Sequence, residues 1–255
     1  MINIGDYITR NSYQNDTVFV VINRSSDTLY LKGVDYRLYA DADVNDCVLI
    51  DKDNINLVDD YSDVKKDERS NYFYLPGKVL HLDGDEEYLD RCMNYYKEAS
   101  VFAIGRKIDE ELLPDEVINL LNDYKPDILI ITGHDAYYRK KGDKNNIKNY
   151  KNSINFVKAV KNARKYEKSH DKLIIIAGAC QSDYEALIKS GANFASSPKR
   201  VNIHALDPAI IAVTLATTPR SEEINLIELL NKTKNGVDGM GGLISNGTMF
   251  VGYPR

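Results

Sequence analysis

From Pro76 onward the chain alternates short, almost wholly apolar runs with stretches of helical periodicity, and this restricts the fold more than any other feature. The runs are KVLHLDGD, VFAIG, DILIITG and KLIIIAG. A strand with one wet face alternates apolar and polar residues, whereas a run that is apolar nearly throughout must be covered on both sides. The intervening segments supply the cover. EEYLDRCMNYYKEA sets Leu89, Cys92, Met93 and Tyr96 on one helical face, PDEVINLLNDY carries Pro114 in its first turn, INFVKAVKNARKYEKS follows, and DYEALIKSG closes at Gly191. The pattern predicts an α/β domain over residues 76–255, with a mostly parallel sheet and helices on both faces. Further along, ANFASSP reads as a fifth, short strand, and DPAIIAVTLATT as a helix with Asp207 as N-cap and Pro208 at its first position. SEEINLIELLNKTKNG reads as a helix stopped at Gly236, and the glycine-rich end as a hairpin around Asn246-Gly247.

The first 58 residues have another texture. IGDYITR, TVFVVINR, TLYLKGVDYRLYA and CVLID are short, rich in Val, Ile, Thr and Tyr, and separated by Asn, Asp, Ser and Gly clusters. A small SH3-like β-barrel over residues 1–58 is expected. Residues 59–75 begin with DDYSDVKKDERSN, charged and without apolar periodicity, and read as a linker.

Composition removes several classes of function. With 255 residues, 43% of them hydrophobic, the chain can bury an ordinary core. A net charge of -5 provides no basic field for nucleic acid or an anionic membrane. The N-terminus lacks the basic and apolar regions of a signal peptide, and no apolar stretch approaches the roughly 20 residues of a membrane span. A cytoplasmic protein is expected. Cys47, Cys92 and Cys180 are odd in number and widely spaced, which suits neither a disulfide framework nor a zinc site, so each is a single thiol and no metal is expected.

Chemistry is expected where the parallel strands end, because their carboxyl termini share one edge and ligands bind in the crevice beyond it. His134 directly follows DILIITG, and Cys180 follows KLIIIAG after one more alanine. A right-handed crossover through the intervening helix makes these strands neighbours and brings imidazole and thiol to one rim. A thiol hydrolase needs that pairing, because the thiolate is the nucleophile and a neighbouring base must generate it. Ala179, Gln181 and the helix that follows supply amides for an oxyanion, and Gly133 and Gly178 let a substrate backbone approach. His204 is the second-choice base. His81 reads as a core or edge residue, His170 as exposed, and Cys47 and Cys92 as structural. The Ala179-Cys180-Gln181 run, with a histidine at the end of another strand, resembles the caspase-type arrangement, although Asp135 stands where those enzymes have glycine. The α/β domain is accordingly expected to be caspase-like or flavodoxin-like.

IGDYITR, LKGVDYRLYAD, ITGHDAYY, AGACQSDYEALIKSGANFASSPKRVNIHALDPA and GMGGLISNGTMFVGYP together resemble the YabG family of sporulation-specific proteases, over essentially the whole chain. The resemblance implies a cysteine endopeptidase of the mother-cell compartment that acts on spore coat and cortex-associated proteins, with Cys180 as nucleophile and His134 as its partner. It also implies cleavage after basic residues, Arg in particular. Asp135, Asp183 and Asp207 are the candidates for receiving that side chain, since a carboxylate pairs bidentately with arginine, though each also suits a cap or a turn. No cofactor is implied, and the partners expected are protein substrates, with no nucleic acid and no membrane. The alternative is a receiver-like signalling or scaffold module, suggested by Asp83, Asp85 and Lys199, although Asp83 and Asp85 also suit simple helix caps. It lacks a phosphoacceptor aspartate at the end of the third strand, where Gly133-His134 stand.

Overall fold

The computed structural model describes residues 2–52, 55, 72–138, 140 and 142–253. The chain divides into two compact units, Met1–Asp60 and Tyr61–Arg255. Most of the charged segment expected as a linker lies outside the described residues. Its last three residues form a strand.

The first unit is built on β1 (Tyr7–Arg10), β2 (Phe19–Ser25), β3 (Thr28–Gly33), β4 (Tyr39–Asp43) and β5 (Cys47–Ile50), antiparallel throughout, in the order β4-β3-β2-β1-β5. A single 3-10 turn at Val44–Asp46 separates β4 from β5, capped by the Asp43 carboxylate on Asn45 N–H. Alternation drives Ile8, Phe19, Val21, Leu29, Leu31 and Ala42 into one small core.

The second unit begins with β6 (Phe73–Leu75) and continues with β7 (Val79–Asp83), α1 (Glu86–Glu98), β8 (Ala103–Lys107), α2 (Leu113–Tyr124) and β9 (Ile128–Thr132). Then come α3 (Ser153–Tyr166), β10 (Ile174–Ala177), α4 (Tyr184–Ser190), β11 (Phe194–Ser196) and α5 (Asp207–Thr217). Short elements close the chain: α6 (Leu226–Asn231), α7 (Gly236–Gly239), β12 (Met240–Gly242) and β13 (Phe250–Gly252). Six strands form one sheet in the order β12-β11-β10-β9-β7-β8, parallel except for β12.

Strand periodicity divides the core into two layers. Leu80, Leu82, Leu129, Ile131, Ile175 and Ala177 face α2, α3 and α4, where Val117, Leu121, Phe156, Val160 and Leu187 complete a fully covered cluster. The other face is covered by α1 and α5. The helices use the signals seen in the sequence: Asp85 caps α1, Pro114 lies in the first turn of α2, and Gly191 ends α4 in the left-handed region.

Four expectations near the C-terminus are corrected. The hairpin at Asn246-Gly247 does not form: β12 pairs with β11, and β13 pairs with β6 in a separate two-stranded sheet. Gly247 serves instead for a close backbone approach, since a Cβ there would collide with the carbonyl of Thr218. The helix from Ser221 shrinks to α6, capped by Asn225, and Gly236 opens α7 rather than stopping a helix. Asp207 is the first residue of α5 rather than its cap, a shift of one position.

Candidate active site

The sheet order contains one reversal. From β7 the chain crosses to β8 at the edge and returns to the other side of β7 as β9, so the crevice at a topological switch point lies beyond the carboxyl ends of β7 and β9. Register fixes what stands there. Asp83 pairs with Thr132 across β7 and β9, and Ile131 pairs with Ala177 across β9 and β10. The register continues past the strands, because the Thr132 hydroxyl donates to the Gly178 carbonyl at 2.9 Å. Two residues further along, beyond the ends of these three adjacent strands, stand Asp85, His134 and Cys180, each at the same offset from the aligned positions Asp83, Thr132 and Gly178.

The hydrogen bonds of the three side chains are specific. His134 Nε2 lies 3.0 Å from Asp85 Oδ2, with both side chains 6% exposed. The other oxygen, Asp85 Oδ1, accepts from Tyr88 N–H at 3.1 Å and caps α1. Asp85 is itself fixed through its own N–H, which donates to the Asp83 carboxylate at 2.9 Å. The Cys180 sulfur is buried against the backbone of one residue: Ile203 N–H donates to it at 3.3 Å, and the thiol points at the Ile203 carbonyl at 3.7 Å. His134 and Cys180 thus follow neighbouring strands at matching offsets, with His134 bonded to Asp85 and Cys180 to Ile203.

The loops that carry them are tied down from several sides. Gly178 has φ +104, and a Cβ there would strike Ser196 Oγ and Leu187, so the turn into Ala179-Cys180 requires glycine. Gly133 must also lack a side chain, because the Glu110 carboxylate packs over it at 2.5 Å from where a Cβ would lie. That carboxylate accepts the His134 N–H at 2.7 Å. The amides expected to serve an oxyanion are engaged within the protein. Ala179 N–H donates to Ser182 Oγ at 2.9 Å, and Gln181 N–H to Ser197 Oγ at 2.9 Å and the Val201 carbonyl at 3.1 Å.

The three aspartates proposed for arginine differ in environment. Asp135 is 3% exposed and accepts four hydrogen bonds, from Ala136 N–H, Asn152 N–H, Ser153 Oγ and Ser182 Oγ. Burial pushes its carboxyl above the usual range, against the opposing pull of those donors. Because Ser182 also receives Ala179 N–H, this one carboxylate joins the loop after β9, the start of α3 and the turn holding Cys180. Asp183 caps α4 through Ala186 N–H and faces Arg200 at 3.4 Å; burial raises its carboxyl too. Asp207 is fully buried and accepts from His204 N–H at 2.8 Å and Lys234 N–H at 2.9 Å.

The remaining candidates have structural surroundings. His81 is fully buried on β7, with Nδ1 2.9 Å from the Tyr96 hydroxyl and Nε2 3.4 Å from Asp83. His170 is half-buried, 3.5 Å from Arg164, and burial lowers its pKa. Cys92 Sγ donates to the Ala205 carbonyl at 3.4 Å. Among the described residues no group of three or more His, Cys, Asp or Glu could hold a metal ion, and no helix is long and apolar enough to cross a membrane.

Two residues of the rim were not singled out as site residues by sequence reasoning. Glu110 carried no signal, because it reaches the site from a loop after the edge strand β8. Asp85 carried one: it follows its strand at the same offset as His134 and Cys180 follow theirs. A read of LHLDGD as strand and cap conceals that equivalence.

Comparison with known proteins establishes the family. The chain is 40% identical to the sporulation-specific protease YabG of Bacillus subtilis (strain 168) over 282 aligned positions, covering 98% of this chain and 97% of that protein. The model for YabG peptidase U57 matches residues 3–69 and 59–254. The chain belongs to the YabG family of peptidases.

Proposed function

We propose that the protein is a sporulation-specific cysteine endopeptidase whose nucleophile is Cys180 and whose acid-base group is His134. The observation that carries this reading is the register, which sets the imidazole and the thiol at equivalent positions beyond two hydrogen-bonded parallel strands in a peptidase-family chain. His134 takes the thiol proton, the thiolate attacks the scissile carbonyl, and the imidazolium protonates the leaving amine. Water then enters on the same base and releases the acyl group. The peptide units of Gly133 and of Ala179–Gln181 flank the attacked carbonyl. No metal or organic cofactor takes part in these steps.

The preferred substrate residue is arginine, and Asp135, Asp183 and Asp207 are the candidates to receive it. The oxygens of Asp135 take four donors, and Asp183 is occupied by Arg200. Asp207 is fully buried and takes Lys234 N–H and His204 N–H, the latter from the peptide whose Ile203 carbonyl faces the thiol. The substrates are spore coat and cortex-associated proteins, met in the mother-cell cytoplasm. The second unit is caspase-like, a reading supported by a parallel sheet whose last strand is antiparallel and whose site lies past the carboxyl edge. The first unit is an SH3-like barrel that docks protein, supported by its strand order and the 3-10 turn before its final strand.

The test is cleavage of fluorogenic peptides with Arg, Lys, Asp or Leu before the scissile bond by the intact protein, Cys180→Ala and His134→Ala. Arg-dependent cleavage lost in both variants, with an unchanged circular dichroism spectrum, is expected. Robust cleavage by Cys180→Ala would overturn the reading.

A further inference from the structure

We infer that Asp85 is a positioning residue for His134 and completes a row of carboxylate, imidazole and thiol across β7, β9 and β10; this deepens the cysteine-peptidase reading and rests on it. Two independent observations agree. Register alone sets Asp85 level with His134 and Cys180, and the side chains confirm the first half of the row with a 3.0 Å contact between Asp85 Oδ2 and His134 Nε2.

The chemistry follows from the tautomer. A carboxylate accepts hydrogen bonds and does not donate, so the Asp85 contact holds the proton of neutral His134 on Nε2. The basic lone pair then sits on Nδ1, and Nδ1 is the atom that takes the thiol proton. When the imidazole becomes imidazolium, the same carboxylate stabilises the new charge at 6% exposure, where water screens it little. Asp85 is itself held: the α1 cap fixes Oδ1, and the Asp83 carboxylate fixes its backbone. The ring therefore has one orientation rather than a choice of two. Asp85 touches no reacting atom in this scheme and acts only through His134.

The cap suggests how to separate catalysis from folding. Asp85→Asn and Asp85→Ser both retain an N-cap oxygen for Tyr88 N–H, so α1 is preserved. Asn turns an amide donor toward Nε2 and favours the wrong tautomer, while Ser removes the charge and the reach. In a serine-protease triad the corresponding Asp-to-Asn change lowers turnover about 10⁴-fold. Here kcat on an arginyl peptide is expected to fall by roughly 10²- to 10⁴-fold in both variants, with KM within about threefold. Asp85→Glu is expected to recover at least about tenfold over Asn, because it restores a carboxylate. ¹⁵N-histidine NMR reads the tautomer without requiring activity: His134 is expected as Nε2–H in the intact protein and to lose that preference in Asp85→Asn. Unchanged kcat would overturn the assignment, as would an unchanged tautomer. So would a loss confined to KM for basic peptides, which would make Asp85 a substrate contact. Activity persisting in Cys180→Ala would instead sink the peptidase mechanism, and the NMR result would still decide the Asp85–His134 contact.

Discussion

The two units treat their sheets in opposite ways. In the first, antiparallel strands bury one side and leave Tyr30, Tyr39, Val48 and Leu49 at least 40% exposed. In the second, β7, β9 and β10 are buried at every position, because helices cover both faces. A sheet with a wet face offers a broad surface for contact, whereas a sheet closed on both sides leaves only its edge for chemistry. That is where the second unit gathers Asp85, His134, Cys180, Asp135 and Glu110. Burial of both faces also rigidifies the strand ends, which is what a site held to fractions of an ångström needs.

The contrast can be broken at the edge first. His134→Ala is expected to lower kcat/KM by about 10³-fold or more, roughly 4 kcal/mol of transition-state stabilisation, with the fold unchanged in circular dichroism. Beneath the edge, Asp135→Ala leaves four donors facing a void. At about 1–3 kcal/mol for each unsatisfied buried group, it is expected to cost at least about 3 kcal/mol in urea denaturation. In the first unit Leu31→Ala is expected to cost about 2–4 kcal/mol, since the side chain is fully buried in the small core. On the wet face of that same sheet Tyr30→Ser is expected to change stability by less than about 0.5 kcal/mol.

Asp135 also gives the second unit a distinctive pH response. Its carboxyl pKa in the folded protein is raised above the ordinary 3.8, so between that value and the raised one the folded state holds more proton than the unfolded. The stability contributed by its protonated form is complete below pH 3.8 and is lost as pH rises through the raised value. Asp135→Asn, whose amide both accepts and donates to the serine hydroxyls, is expected to remain folded and to lose this slope in denaturation series from about pH 4 upward. An unchanged slope would place the response in another group.

Where both faces are buried, the sequence was easy to read. DILIITG and KLIIIAG have no other use than as central strands, and the switch in periodicity around them located the helices. The strand-end positions of Cys180 and His134 were legible for the same reason, since each closely follows such a run. What failed to show was anything fixed by return contacts. Gly247 looks like a turn and is a close approach to Thr218, because a glycine's motif does not reveal which backbone it must admit. Gly236 looks like a stop and opens α7, because the peptide groups around Thr233 and Asn235 continue the turn. Asp85 looked like a cap and is one. The second oxygen of its carboxylate, aimed at His134, depends on the register of strands whose paired residues are 49 positions apart along the chain. Asp135 read as a candidate to pair with arginine or as a turn residue, and nothing local showed the buried polar knot it forms, since its donors come from loops no local pattern connects.

The central claim is that Cys180 attacks the substrate, and covalent capture tests it most directly. The intact protein would be treated with a peptidyl-arginine chloromethyl ketone, and the modified residue located by mass spectrometry of the digest. The expected result is one adduct on Cys180, formed in step with loss of cleavage and absent from both Cys180→Ala and His134→Ala. Loss of cleavage with Cys180 unmodified, or an equal rate of labelling at Cys47 or Cys92, would contradict it.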